Sequence, residues 1–349
     1  MLYDFSAATI KKMVIHYVGN KTEGEDVVLT DHHLRILAVE EEELLTDFFF
    51  KPFKTDELFA FRHHDDVTQN IVYSALADQF RAPVQFIEAS KTIAEHLYHH
   101  SIWSGINGGE FFMVYFEGIL FNEEPVEVIG MFKSERKTKS FNVHDREDRF
   151  DITFHSGINL SKPDKACLVF KTEDEDGYRV LMHDHITKGE EAKYWRNDFL
   201  GLGVVVNEYS LTKNYMNMCK NFVMEQIPEE FEVDRTLQIE LMNRSAEYFT
   251  QNEKVDSDDY SRTVFEQPQL VESFNNFKEQ YAQESNIELE DHFNSSPAAV
   301  KKQKKMFKSI LKLDKNFHIY VHGNNELIEN GFDEKRGMKF YKVFYNYEV

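Results

Sequence analysis

A chain of 349 residues with 42% hydrophobic and 14% aromatic content suits two domains with real cores, and its 31 phenylalanines and 16 tyrosines argue against disorder. Its 61 acidic and 40 basic residues give a formal net charge of −21, which would repel nucleic acid at long range if it were spread evenly. Two distant cysteines, Cys167 and Cys219, make neither a disulfide framework nor a zinc pattern and suit a reducing cytosol. The opening "MLYDFSAATIKKMVIHYVGN" lacks a long apolar run and a small-residue cleavage site, so no signal peptide is expected. The most apolar stretch, "GEFFMVYFEGILFN", is too short for a membrane helix and contains Glu117. These features predict a soluble, cytoplasmic protein without a membrane partner.

Along the chain, "KKMVIHYVG" and "EDVVLT" read as strands around the turn-rich "NKTEGE". Three helices are then expected. One is "DHHLRILAVEEEELLTDFF", starting behind Thr30 and Asp31; the others are "DDVTQNIVYSALADQF" and "FIEASKTIAEHLYHHS". After "INGG" come five strands, "EFFMVYFEGILF", "VEVIGMFKSER", "FDITFHSGINL", "KACLVFKTED" and "YRVLMHDH", with short connections that favour an antiparallel meander. From about residue 190 the pattern turns helical: "KGEEAKYWRNDFLG", "NEYSLTKNYMNMCKNFVMEQI", "VDRTLQIELMNRSAEYFTQ" and "QLVESFNNFKEQYAQES". The polar "NEKVDSDDYSRT" reads as a mobile connection. The fold class is α+β. A domain built on an antiparallel sheet with packed helices is expected over residues 1–204. A mainly helical domain with a basic helix and a C-terminal hairpin is expected over 205–349.

Positive charge gathers near the end. Residues 296–349 hold eleven basic and six acidic side chains, a net of +5, which leaves −26 on residues 1–295. Within it, "KKQKKMFKSILKLDK" carries seven lysines. Ser296 can cap a helix and Pro297 suits its first position. On one helix, Lys301, Lys304, Lys305, Lys308, Lys312 and Lys315 fall within a stripe of about 100°, with Val300, Met306, Phe307, Ile310, Leu311 and Leu313 opposite. Strand-like "FHIYV" follows, then "ELIENGFDEKRGMKFYKVFY" as a hairpin with Lys335 and Arg336 at its tip. A lysine stripe suits a phosphate backbone, and lysine as a point charge positions without choosing bases. It equally suits the solvated side of an amphipathic helix, or an acidic protein surface. With a Debye length of about 8 Å at physiological salt, a local patch can act against the distant sign of the whole.

Several segments together resemble the bacterial nucleoid-associated protein family of the NdpA/YejK type: "GGEFFMVYFEGILFNEE", "FDITFHSGINLSKPDK", "YWRNDFLG", "SFNNFKEQYAQESNIELEDHFN" and the closing "FHIYVHGNNELIENGFDEKRGMKFYKV". Their order and spacing carry the similarity, over most of the chain. The resemblance implies association with the bacterial chromosome, DNA or the nucleoid as partner, and no catalytic residues to transfer.

Other candidates are weaker. The basic run "FKSERKTKSF" holds Lys133, Arg136, Lys137 and Lys139, which could extend a binding surface or discourage edge pairing. "FRHHDD" offers His63, His64, Asp65 and Asp66, and "MHDH" offers His183 and His185, but a metal needs three or four such groups to converge. The Asp65–Asp66 pair also reads as favourable charge at a helix start. Asp184, Glu191 and Lys193 in "HDHITKGEEAK" loosely echo metal-dependent nucleases. Glu40, Glu41, Glu42 and Glu43 read as a solvated helix face, and a DNA-mimic surface would need a longer array. No Walker loop, dinucleotide fingerprint, nucleophile elbow or zincin helix occurs, so no cofactor is expected. The expected function is non-catalytic, low-specificity association with DNA or the nucleoid. The alternatives are a protein-interaction adaptor for partners in DNA metabolism and a metal-dependent phosphodiester hydrolase.

Overall fold

The computed structural model describes residues 2–347 apart from 36–37, 55, 83–84, 173–176, 185–193, 286, 288, 308, 314–316 and 322–326. The chain divides into two compact units, Met1–Val205 and Val206–Val349.

The first unit is built on a nine-stranded sheet. Its strands are β1 (Tyr3–Asp4), β2 (Thr9–Val18), β3 (Val27–Val28), β4 (Phe59–Phe61), β5 (Gly109–Phe121), β6 (Glu124–Ser134), β9 (Lys165–Phe170), β10 (Arg179–Asp184) and β11 (Leu202–Val204). They lie in the order β11-β4-β10-β9-β6-β5-β2-β3, with β1 against the end of β5, and every pairing is antiparallel. Both faces are covered. On one face, α2 (Ile71–Arg81), α3 (Phe86–His100) and a π-helical turn at Tyr194–Phe199 pack on Phe111, Met113, Ile129, Met131 and Cys167. On the other, Phe48 and Phe49 of α1 (Val39–Phe50) pack on Phe112, Val114, Phe116, Phe132 and Leu168. Successive side chains of a strand point to opposite faces. A strand covered on both sides must therefore be apolar throughout, which is why "EFFMVYF" shows no alternation. Each fully buried phenylalanine contributes roughly 1.5–3 kcal/mol of transfer free energy.

The remaining strands of this unit, β7 (Lys137–Arg146) and β8 (Arg149–Ile158), form a separate hairpin between β6 and β9. It is an arm that prolongs the β6–β9 ladder beyond the sheet. Asp164 clamps the junction: its Oδ2 accepts the backbone N–H groups of Glu135 at 2.8 Å and Arg136 at 3.0 Å, and its Oδ1 binds the Arg136 side chain.

The second unit is mainly helical. It comprises α4 (Glu208–Asn221), running through a π-helical turn into α5 (Ile227–Glu230), then α6 (Arg235–Gln251), α7 (Ser257–Phe265), α8 (Pro268–Ser285) and α9 (Pro297–Gln303). Asn207 and Ser210 form a capping box at the start of α4. The core gathers Tyr215, Phe222, Phe249, Tyr260, Phe265 and Phe274. The pair β12 (Lys254–Asp256) and β13 (His292–Asn294) ties the α6–α7 connection to the segment before α9. Two hairpins close the chain, β14 (Ser309–Leu313) with β15 (Phe317–Val321), and β16 (Ile328–Asp333) with β17 (Met338–Val343). Leu313, Ile319, Ile328 and Tyr341 pack around Ile239 of α6.

Three expectations need correction. The first helix begins at Val39, behind Ala38 without a side-chain cap, and not after Asp31. "NEKVDSDDYSRT" is no loose connection: it forms β12 and most of α7, with Tyr260 wholly buried and Asp256 capping the helix by accepting the Asp259 N–H at 2.9 Å. The basic helix stops at Gln303. A 3₁₀ turn follows at Lys304–Phe307, and Ile310 to Leu313 lie in a strand, where β15 supplies backbone partners.

Candidate nucleic-acid interface

The lysine segment starts as its residues dictate. Ser296 Oγ accepts the Ala299 N–H at 3.4 Å, and Pro297 occupies the first turn of α9. The Ser296 N–H donates to Thr212 Oγ1 at 2.9 Å, which holds the helix start against α4. Ala299, Val300, Gln303 and Phe307 are buried, whereas Lys301, Lys302, Lys304 and Lys305 are all exposed. The short helix and the tighter turn thus send two lysine pairs to water and anchor themselves between them. Lys301 and Lys304 border an open cleft of about 470 Å³, across from Thr250, Gln251 and Asn252 at the end of α6. Lys302, which falls off a pure 100° stripe, joins the group because the helix ends at once; its signal was simply the doubled lysine.

The stripe does not continue as one helix. Lys312 sits on β14, paired with His318, and Lys308 and Lys315 lie outside the described residues. Lys335 and Arg336 are exposed at the tip of the β16–β17 hairpin. Asp333 Oδ1 shapes that tip by accepting their N–H groups at 2.9 and 3.1 Å, and Gly337 closes it at φ +64°. Asn330 ties the hairpin to the start of α6, its Nδ2 donating to Asp234 Oδ2 at 2.8 Å.

The second basic run disperses. Lys133 is fully buried, donating to the Asn107 carbonyl at 2.9 Å and facing Glu135 at 3.2 Å. Burial pulls its pKa down, against the pull of Glu135. Arg136 is held by Asp164 and Lys137 by Glu110, while Lys139 is exposed on the arm.

His63, His64 and Asp65 bring one ligand atom each within 4.8 Å of one another, and all three are exposed. They are consecutive residues on one bend, so their closeness comes from the chain path and not from converging elements. Asp66 caps the following 3₁₀ turn, accepting the Thr68 hydroxyl at 2.5 Å and the Thr68 N–H at 2.8 Å; the hydroxyl first and then the N–H lower its pKa. His183 and Asp184 end β10, where Asp184 pairs with the buried Lys165 at 2.8 Å. His185, Glu191 and Lys193 lie outside the described residues. Glu40, Glu41 and Glu42 fall in the first turn of α1, the favourable end of the helix dipole, with Glu43 exposed behind them. Glu42 also accepts the Ile10 N–H at 2.8 Å. Cys167 and Cys219 are free and buried, and burial pushes both thiols up.

The model of the family described as nucleoid-associated protein YejK matches residues 14–347. The chain belongs to the YejK family. No curated protein matches it. The match spans both units, so the lysine turn, the hairpin tip and the β7–β8 arm all lie inside the YejK region. YejK membership supports a nucleoid-associated role and location, the family expected from the segments quoted above. Among the described residues, no helix of this YejK-family chain is long and apolar enough to cross a membrane.

Proposed function

We propose that this YejK-family protein associates with the bacterial nucleoid by binding DNA directly, without catalysis and with low sequence specificity. The observation that carries the reading is the lysine turn. Lys301, Lys302, Lys304 and Lys305 are exposed together on an element anchored by Val300, Gln303 and Phe307. Lys335 and Arg336 supply a second contact, and Lys308, Lys312 and Lys315 extend the same basic stretch. Lysine ammonium groups neutralise phosphates and release counterions, which gives affinity without base readout.

The test is a titration of duplexes of unrelated sequence with the purified protein at two salt concentrations, with and without a divalent metal. Binding that weakens with salt, ignores sequence and leaves the DNA intact is expected. Lys301→Glu/Lys304→Glu/Lys305→Glu should weaken it and flatten the slope of log K against log salt by about 2.7, at roughly 0.9 per lost phosphate contact. Unchanged affinity in that variant would remove the lysine turn from the mechanism. Metal-dependent cleavage would favour the hydrolase reading.

A further inference from the structure

The β7–β8 arm exposes what a soluble domain ordinarily hides. Its register places Phe141 opposite Phe154, Val143 opposite Ile152 and Asp145 opposite Phe150. These residues share one face of the two-stranded ribbon, because side chains alternate. Phe141 is 59% exposed, Val143 55%, Phe150 71%, Ile152 55% and Phe154 78%. The other face is polar and knitted together: the His144 ring meets Thr153 Oγ1 at 2.8 Å, and Asn142 meets the His155 ring at 3.3 Å. The arm is therefore amphipathic, with its polar side satisfied and its apolar side bare. An isolated two-stranded ribbon is marginal in water, and contiguous exposed apolar surface marks an interaction site.

Charge on the apolar face identifies the occupant. At the sheet end this face carries Lys137, which Glu110 holds, and then Lys139; nearest the tip it carries Asp145. The segment 137–158 is neutral overall, with Lys137, Lys139, Arg146 and Arg149 against Asp145, Glu147, Asp148 and Asp151. An acidic tip opposes entry into a DNA groove. A second copy of the same face is complementary to it. Two arms laid face to face and antiparallel about a two-fold axis bring Phe141 onto Val143 and Phe154 onto Ile152, and set Lys139 of each copy against Asp145 of the other. The parallel arrangement instead sets Asp145 against Phe150, an unpaired carboxylate on an aromatic ring. We propose that the arm is a self-association device through which two copies of this chain pair by their β7–β8 apolar faces, antiparallel, with two Lys139–Asp145 pairs closing the ends. A face of about 33 Å by 10 Å is smaller than the roughly 800 Å² per partner of a standard interface. The arm alone thus supports a concentration-dependent dimer. This inference does not depend on direct DNA binding.

The experiment is sedimentation velocity on the full chain without DNA, up to about 100 μM, well above the micromolar range expected of a small interface. The wild type should pass from monomer to dimer over that range. Phe141→Ser/Phe154→Ser should remain monomeric with an unchanged far-ultraviolet circular dichroism spectrum. Lys139→Asp should weaken the dimer about tenfold, equivalent to about 1.4 kcal/mol, and Lys139→Asp/Asp145→Lys should restore it. A wild type that stays monomeric overturns the proposal, including the case in which the serine variant loses DNA binding and the arm proves to be a DNA contact. A dimer that survives the serine substitutions also overturns it. Failure of the charge exchange to restore pairing overturns the antiparallel geometry.

Discussion

His16 lies in β2 with both ring nitrogens engaged. The Thr30 N–H donates to Nδ1 at 3.0 Å, so Nδ1 carries no proton; Nε2 does, and it faces Ser90 Oγ at 2.9 Å. Ser90 sends its own hydroxyl hydrogen to the Ile87 carbonyl at 2.7 Å. The residue is 2% exposed, and burial, reinforced by Lys91 and opposed by Asp31, pushes its pKa down to about 4. As pH falls, the unfolded chain takes up this proton first, near the ordinary value of about 6.5. The contribution is therefore fully present above about 6.5 and is lost as pH falls through about 4, on the order of 3 kcal/mol in all. We predict that the His16 ring, followed by NMR in the folded protein, titrates near 4; a midpoint above 6 would refute the Thr30–His16–Ser90 chain. Gly118 gives a second residue-level prediction. It sits at φ +76° where the β5–β6 register slips, and a Cβ there would lie 2.1 Å from the Ala7 carbonyl oxygen. Gly118→Ala should cost about 2–3 kcal/mol in urea unfolding, whereas Gly157→Ala, with open space around it, should be within about 0.5 kcal/mol of wild type.

At the scale of elements, the arm depends on its junction. Asp164 is 7% exposed and accepts from two backbone amides and one guanidinium, so its loss removes three hydrogen bonds from the junction. Asp164→Ala should loosen the arm while sparing the sheet: hydrogen exchange should quicken across residues 137–158 and remain slow in β5 and β6. Equal protection in the variant would show that the arm is held by something other than this clamp. The same elements show what could be read in advance. β5, β6, α2 and α3 were legible because uninterrupted apolar runs and spacings of three and four have one reading each. β7 was not, because "KTKSFNVHDR" mixes a lysine-rich start with only two apolar side chains, and its apolar alternation completes itself only against β8. The lysine helix was over-extended for a related reason. Ile310, Leu311 and Leu313 fit a helical wheel as well as a strand, and only the pairing with β15 and the packing of Leu313 and Ile319 near Ile239 decide between them. The lysine cluster was visible as composition; its division into an exposed turn and a following strand was not.

At the scale of the whole molecule, the charge distribution sets two ranges against each other. Residues 1–295 carry a net −26 and residues 296–349 a net +5. The proposed contact between the lysine turn and phosphate would be short-ranged, whereas repulsion between DNA and the acidic majority would reach as far as the Debye length allows. That length is about 8 Å at physiological salt and about 30 Å at 0.01 M. For an ordinary basic DNA-binding protein, log K keeps rising as salt is removed. Here the acidic residues come into play as the screening length grows, and their repulsion offsets the gain from counterion release. We predict that the plot of log K against log salt is steep between about 0.1 and 0.2 M, then flattens or turns over below about 0.03 M. Fluorescence anisotropy on a labelled duplex, taken at a protein concentration where the chain is monomeric, reads this directly. A straight line down to 0.01 M would mean that the acidic surface stays more than a screening length from the bound DNA. It would assign the −21 of the chain to solubility alone, with no part in limiting how tightly the protein holds the nucleoid.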